Sequence, residues 1–502
     1  MHLPIESSKV KSYKNEVINT LLSNGQITRG EYALLFEEKD MNVWEKDQAF
    51  NAVLKKIIGL QNRKETLTLD FINFPHFTFN NFRFTPKQNI SFLYATFSGE
   101  ADFSNATFTG ETHFSNAVFF DESDFWDATF LEGAHFSSTT FSALADFWGT
   151  TFSKEADFWG ASFSDLAHFS DAIFLGFADY SSATFSGTAD LSDASFKKLA
   201  DFSNTMFMKP ADLSGTSFSD LANFSNAMFF RLANFSSAIF SGLAQFLGTS
   251  SESIINFSYA SFNEVDFENA NFHRPNFLHM CTDADTHLLP LSQKNFSNKE
   301  SARLVRAYFE QQNNITEANK YFKIEQELYL QSLNNKNTNK EGKEMRVENK
   351  NTIRIALYLN KFVSDFGTDW IRTLIVMLGF SFLAGFFYVF ISDDTVPILS
   401  QTRYAYLWTI IGFILSVSLY ISYHFKTYLY TWGIIVVYIL LLLLGSFRSI
   451  VNDIANLINP LNVFNIQEYF QDIALYGMMT KLIMVGLLYQ FIMAFRQNTR
   501  RR

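Results

Sequence analysis

The chain has a single cysteine in 502 residues. One thiol excludes an intramolecular disulfide, so packing and hydrogen bonding must hold the fold together. Cys281 lies near His279 and His287, but a zinc site would need three or four ligands at tighter spacing. A buried thiol is the expectation there, and no metal or cofactor is expected. The sequence also lacks the common signatures of chemistry. It has no phosphate-binding glycine loop, no dinucleotide fingerprint, no nucleophile elbow and no His-Glu-x-x-His. A Thr-Val-Gly-Tyr-Gly potassium filter is missing as well. An enzyme is therefore not expected. Residues 1–30 are charged and amphipathic without a cleavable apolar core, so no secretory signal is expected.

Phenylalanine, by contrast, is abundant, with 59 copies. From Phe92 the inward candidates run Phe97, Phe103, Phe108, Phe114, Phe119, Phe125, Phe130, Phe136 and Phe141, at intervals that alternate five and six. The clock continues through Tyr180, Leu191 and Leu213, which stand in for Phe, and through Ser251, the one small exception. From Phe257 the interval is five throughout: Phe262, Phe267, Phe272, Phe277. A helix needs a period of 3.6 and a strand a period of 2, so neither explains this pattern. A solenoid that turns a corner every five or six residues does. Within each half-unit a small residue and the Phe two positions later share one side of a short extended segment and point inward. Asp102, Ser104 and Asn105 of the first unit then point outward.

One unit reads Ala101-Asp102-Phe103-Ser104-Asn105-Ala106-Thr107-Phe108-Thr109-Gly110-Glu111. Over roughly 67–280 the chain resembles the pentapeptide-repeat family, whose consensus is Ala-(Asp/Asn)-(Leu/Phe)-X-X. The resemblance implies a right-handed quadrilateral β-helix with four pentapeptides per coil. This chain adds a sixth residue in alternate pentapeptides, so one coil should take about 22 residues. At about 4.8 Å per coil the rod should be roughly 45–50 Å long.

Residues 370–495 are a different material. Trp370–Ile391, Tyr404–Tyr423, Tyr428–Ser446 and Ala474–Phe495 are apolar segments long enough to span a bilayer as helices. Trp370, Tyr404, Tyr406, Trp408, Tyr428, Tyr430 and Trp432 gather at their ends as interfacial residues do. Arg346, Lys350, Arg354 and Lys361 precede the first span, Lys426 sits between the second and third, and Arg496, Arg500, Arg501 and Arg502 follow the last. Asp393 and Asp394, and Asp453, Glu468 and Asp472, occupy the other two loops. The positive-inside rule then puts both termini and the repeats in the cytoplasm of an integral inner-membrane protein.

The expected organisation is an N-terminal helical cap over 1–66, the β-helix over 67–280, a helical hairpin over 281–335, a linker over 336–360 and a four-helix transmembrane domain over 361–502. Leu304, Val305, Tyr308 and Phe309 form the first stripe of the hairpin, Asn313-Asn314 breaks it, and Thr316 can cap the second helix. Tyr308-Phe309 followed by Ala318-Asn319-Lys320-Tyr321-Phe322, the Asn459-Pro460-Leu461 turn and the closing Tyr489-Gln490-Phe491 resemble the membrane-anchored subgroup of the family.

Residues 101–276 hold 22 Asp and Glu against 6 Lys and Arg, a net of 6 − 22 = −16. Asp102, Asp124, Asp146, Asp190 and Asp212 share one slot, and Asp157, Asp179 and Asp201 the equivalent slot of the other unit. Outward repeat positions that satisfy backbone turns explain them better than catalysis does. Such a rod repels nucleic acid and favours a basic protein partner. Trp126, Trp148 and Trp159 replace the usual Ser after the inward Phe. Trp126 and Trp148 fall on successive coils of one side, Trp159 on another, and Asp124, Asp127 and Asp146 flank the first two. That patch is either a partner-binding face or a surface covered by the N-terminal helices. In the last span Lys481 is a candidate intramembrane polar residue, or a side chain that snorkels to the headgroups. The function expected is a membrane-anchored scaffold or sensor mediating protein–protein interaction, with an unknown protein or a second copy as partner and the lipid membrane as anchor. The alternatives are an oligomeric ion channel or pore gated by the repeats, and an acidic DNA-mimic rod. The resemblance supplies that last alternative, because acidic rods of the family mimic duplex DNA and bind topoisomerases.

Overall fold

The structure, a computed structural model, describes residues 12, 15–16, 66–74, 77–78, 87–282, 291–334, 347–366, 369–392, 411, 413–420 and 474–499. The N-terminal cap expected over 1–66, apart from residues 12, 15–16 and 66, lies outside the described residues, as do the Tyr428–Ser446 segment, most of Tyr404–Tyr423, both acidic loops of the apolar region and His287. Contacts divide the chain into two units, 1–308 and 309–502.

The first unit is a parallel β-solenoid. Four faces of very short strands wind in succession. The first coil with a full set of register partners runs Thr96–Phe97, Ala101–Asp102, Thr107–Phe108 and Thr112–His113, after which Val118–Phe119 lies on Thr96–Phe97. That register step is the 22 residues the phenylalanine clock requires, and it recurs as Ala101↔Ser123, Thr107↔Thr129 and Thr112↔Ala134. Two of the faces stack ten strands each. Nine steps of about 4.8 Å give a rod of about 43 Å. Near the C-terminal end the spacing falls to five and the coil shortens with it, to Ser250↔Asn271 and Ile255↔Pro275.

Each coil turns its corners by sequence-coded means. The amide of Ala106 donates to the carbonyl of Phe103, closing a four-residue turn whose third residue, Asn105, has φ 56°. This is a type II turn, which needs a left-handed residue at that place. Asn116, Asp127, Asp171, Asp193, Asn204 and Asn226 hold the same conformation at multiples of eleven residues, and Gly149 and Gly215 fill it where no side chain is wanted. The Asp of each strand completes the corner. Oδ1 of Asp102 accepts the amide of Ser104 at 2.9 Å, and Asp179, Asp190, Asp201 and Asp212 do the same for Ser181, Ser192, Ser203 and Ser214. The repeated carboxylates therefore serve the backbone turns.

The interior is a set of aromatic columns. Phe97 stacks on Phe119 at 4.4 Å between ring centroids, Phe125 on Phe147 at 4.7 Å, and Phe130 on Phe152 at 5.1 Å. Neighbouring columns meet edge to face, as Phe125 does with Phe136 at 5.5 Å and 90°. Both geometries suit the ring quadrupole. The Ala partners and the Phe are almost all fully buried. Where Thr replaces Ala its hydroxyl finds a carbonyl, as Thr139 Oγ1 does on Phe114 at 2.8 Å and Thr150 Oγ1 on Phe125 at 2.7 Å. Tyr180 takes a hydroxyl into a column of Phe. It stacks between Phe158 and Phe202, fully buried, and its hydroxyl has no hydrogen-bond partner.

The C-terminal end of the rod is closed by the segment that follows it. Asn295 Nδ2 donates to the carbonyls of Phe262 and Asn263, Ser297 donates its amide to Val265, and Ser301 Oγ accepts the amide of Phe267. Tyr308 lays its ring edge-on to Phe277 and donates its hydroxyl to Asn276. Backbone groups that an open solenoid end leaves unpaired are thus satisfied. Cys281 is buried beside them, its thiol toward the carbonyl of Ala260.

After the rod, α1 (Lys299–Gln311) leads into α2 (Ile315–Asn334). Asn314, rather than Thr316, caps α2: its Oδ1 accepts the amide of Glu317 at 3.2 Å, and Asn313 before it is left-handed with φ 55°. The chain reverses one residue pair earlier than a Thr316 cap allows, which puts Thr316 in the first turn. Residues 347–364 form α3 (Val347–Ser364), where composition suggested a linker to 360. Leu357 explains the difference, because it packs into a cluster with Leu330, Leu333 and Phe366 that organises this stretch. α4 (Trp370–Ser392) and α5 (Ala474–Thr499) pack together and cover two of the four expected apolar segments. Their described side chains run over 371–384 and 480–494, and among the described residues no helix is long and apolar enough to cross a membrane.

Candidate functional site

The corner after each Ala-Asp-Phe strand presents one side chain outward, and in most coils it is Ser. Trp126 and Trp148 replace that Ser on consecutive coils. Their strands, Ser123–Asp124 and Ala145–Asp146, pair in register, which stacks the two indoles at 5.8 Å with an interplanar angle of 20°. The backbone of each is held by the carboxylate two residues earlier. Trp126 donates its amide to Asp124 at 2.8 Å and Trp148 to Asp146 at 2.9 Å. Trp126 is 40 % exposed and Trp148 half-buried beneath it. Trp159, on the opposite face, is 51 % exposed and held in the same way by Asp157.

Asp127 occupies the left-handed corner position beside Trp126, with φ 52°, and is exposed. The residue one coil on is Gly149, where a Cβ would overlap the Asp127 carboxylate. The glycine thus leaves Asp127 room at the edge of the indole pair. Asp124 sits between Asp102 and Asp146 in the ladder. Burial first, and then those two carboxylates with Glu100, holds its carboxyl above the usual range, while the Trp126 amide pulls the other way. The arrangement is an apolar plate bordered by closely spaced carboxylates. It can bind a flat or aliphatic surface with cationic margins.

One break in the ladder was not visible in sequence. His168 takes the Asp slot in the coil after Asp146, and its Nδ1 lies 3.1 Å from Asp146 Oδ1 while Ser170 contacts its Nε2 at 2.6 Å. An imidazole is thus already part of the acidic row, at the upper border of the tryptophan patch. On the opposite face His113 and His135 occupy the same slot on consecutive coils. Only the register reveals them as neighbours, since they stand 22 residues apart among unrelated polar positions. In the second unit Lys481 is 3 % exposed and Thr480 beside it equally buried, on the packed side of α5.

Residues 92–140 and 158–206 match the family described as pentapeptide repeats (9 copies), and residues 255–281 match that described as pentapeptide repeats (8 copies). No curated protein and no solved structure matches the chain.

Proposed function

We propose, from the premise that the rod is a solenoid of the pentapeptide-repeat family, that this chain is a membrane-anchored scaffold or sensor. Its rod would recruit a protein partner at the cytoplasmic face. The observation that carries the reading is the stacked Trp126–Trp148 pair with its border of Asp124, Asp127 and Asp146. Two adjacent indoles on an otherwise Ser-, Asn- and Asp-rich surface have the anatomy of a contact centre, because aromatic anchors dominate binding energy and a polar margin excludes water. The partner's surface would be aliphatic at its centre and rich in Arg or Lys at its edge, and a second copy of this chain is the other occupant. Nucleic acid is disfavoured by the charge of the rod.

The anchor rests on the composition of 370–495 and on an inversion in α4 and α5. Ile371, Leu374, Leu378, Leu482, Ile483, Val485 and Ile492 are exposed, and Thr373, Ser381, Thr480 and Lys481 are buried alongside Ile375, Phe382, Met484 and Leu487. Water-facing helices show the opposite arrangement, and lipid-facing helices this one. Four spans with both termini in the cytoplasm satisfy the distribution of basic residues. The same buried Thr, Ser and Lys side chains favour a second reading, a polar path through an oligomeric membrane domain. Conductance in planar bilayers would test it.

The test of the scaffold reading is capture with the full chain in detergent, wild type against Trp126→Ser with Trp148→Ser. Ser is the common residue of that slot, so the rod should fold unchanged by circular dichroism. The variant should lose the captured partner or the self-association seen in wild type. If both proteins capture the same partners equally, the Trp face is not the interface.

A further inference from the structure

The second residue of each strand on the face opposite Trp126 forms one row. By register it reads His113, His135, Asp157, Asp179, Asp201 and Asn223. Two imidazoles therefore follow Thr68 and Ser91 in a row that carboxylates continue. Their rings stack at 4.6 Å between centroids, 8° from parallel. Two residues before each of these positions runs a parallel row of Glu111, Gly133 and Glu155. His113 Nε2 lies 3.7 Å from Glu111 Oε2. One ligand atom from each of Glu111, His113 and His135 falls within 4.8 Å of the others.

Two details distinguish this from a stack of polar side chains. Gly133 is not in a left-handed conformation, yet a Cβ on it would meet His135 Nε2 at 2.9 Å. The glycine keeps the space in front of that nitrogen open. The other nitrogen of the same ring, Nδ1, faces Asp157 Oδ2 at 4.0 Å. A carboxylate beside Nδ1 favours the tautomer with the proton there, which leaves the Nε2 lone pair free.

We propose that Glu111, His113 and His135 form a divalent transition-metal site, with Asp157 orienting His135 from behind. Two imidazoles and one carboxylate with an open fourth position suit Zn²⁺. Bonds of about 2.1 Å in a tetrahedron place donors about 3.3–3.5 Å apart, so the cluster closes on the ion by a little over 1 Å. The exposed Glu111 side chain and rotation of the two rings supply that movement. The site goes beyond the interaction reading and stands apart from it, since it lies on another face.

The test is titration of the full chain in detergent with Zn²⁺, and with Co²⁺ as a spectroscopic probe. The expected result is one ion per chain with a Kd of about 1 µM or tighter, and the visible bands of four-coordinate Co²⁺. Asn already fills this slot at Asn223, so His113→Asn with His135→Asn should keep the rod folded by circular dichroism and weaken binding by at least about 100-fold. Glu111→Gln, at an exposed side chain, should weaken it without any effect on folding. Gly133→Leu should block the space before Nε2 and weaken it as well. No Zn²⁺ or Co²⁺ binding by wild type, or undiminished binding by the His113→Asn, His135→Asn and Glu111→Gln variants, would overturn the proposal.

Discussion

The two units of this protein differ in what they leave exposed. In the rod the interior is Phe and Ala and the surface is Ser, Asn and Asp, so hydrophobic burial in water accounts for it. In α4 and α5 the exposed side chains are Leu, Ile, Val and Tyr489, and Thr373, Ser381, Thr480 and Lys481 are buried beside Ile375, Phe382, Met484 and Leu487. On the proposed membrane reading, one chain faces two solvents. The rod is organised against water by its core. The proposed anchor would set α4 and α5 against a medium that does not hydrogen-bond, where association depends on packing and on small or polar side chains. The contrast also separates two kinds of information. The rod repeats one local solution at fixed register, while the helical unit depends on single contacts such as Leu357 in its cluster.

The largest effect should come from violating the rod's rule. Phe152 is fully buried between Phe130 and Phe174. Phe152→Asp places an unpaired charge in that column and should cost several kcal/mol, enough to unfold neighbouring coils. Limited proteolysis and circular dichroism check this, and wild-type resistance in the variant would break the account of the core. The reciprocal violation belongs in α5. Val485 is 44 % exposed near the helix centre. On a water-facing surface Val485→Arg is within about 0.5 kcal/mol of neutral. Facing lipid it costs about 2.5–3.5 kcal/mol. A drop in the alkali-resistant membrane fraction is expected, and an unchanged fraction would remove the contrast between the units.

How much of this was legible in sequence follows from the same difference. The clock of five and six fixed the 22-residue coil, the inward Phe and Ala, the turn-serving Asp and the adjacency of Trp126 and Trp148. In a solenoid each residue's neighbour lies a constant number of positions away, so one-dimensional spacing already encodes contact. The singular features were not legible. Asn314 in place of Thr316 as the α2 cap, the closure of the rod end by Asn295 and Ser301, and the helix over 347–364 each rest on one contact that no periodicity announces. The His113–His135 pair lay between these extremes. Its register was deducible, but the facing of Nε2 toward Gly133 was not.

A smaller effect sharpens the account of the core. Tyr180 carries a hydroxyl with no partner into a column built for Phe. Tyr180→Phe removes an unsatisfied polar group and should stabilise the rod by about 1–3 kcal/mol. Thermal melting measures it, and destabilisation would mean that the hydroxyl serves a group this reading overlooks.

The smallest effect concerns the carboxylate ladders. Asp124 and Asp179 are both held above the usual carboxylate range, by burial first and then by the carboxylates of adjoining coils, Asp102 and Asp146 for one and Asp201 and Asp157 for the other, against opposing hydrogen bonds. The folded state therefore binds protons more tightly than the unfolded chain at these positions. The stability they contribute is complete below the unfolded pKa and is lost as pH rises through the raised folded value. Melting temperature should fall across that window more steeply in wild type than in Asp124→Asn with Asp179→Asn. Identical slopes would mean that the ladder does not strain the rod.

The central claim is that the Trp126–Trp148 face meets a protein while the chain is held in a membrane. The most direct measurement replaces Trp126 with a photoactivatable phenylalanine analogue in the full chain and irradiates isolated membranes. A second protein carries the same side chain at Ser181 on the opposite face. The account predicts a discrete cross-linked species from position 126, sedimenting with the membrane fraction, and none from position 181. No adduct at 126, or the same adduct from both faces, would contradict it.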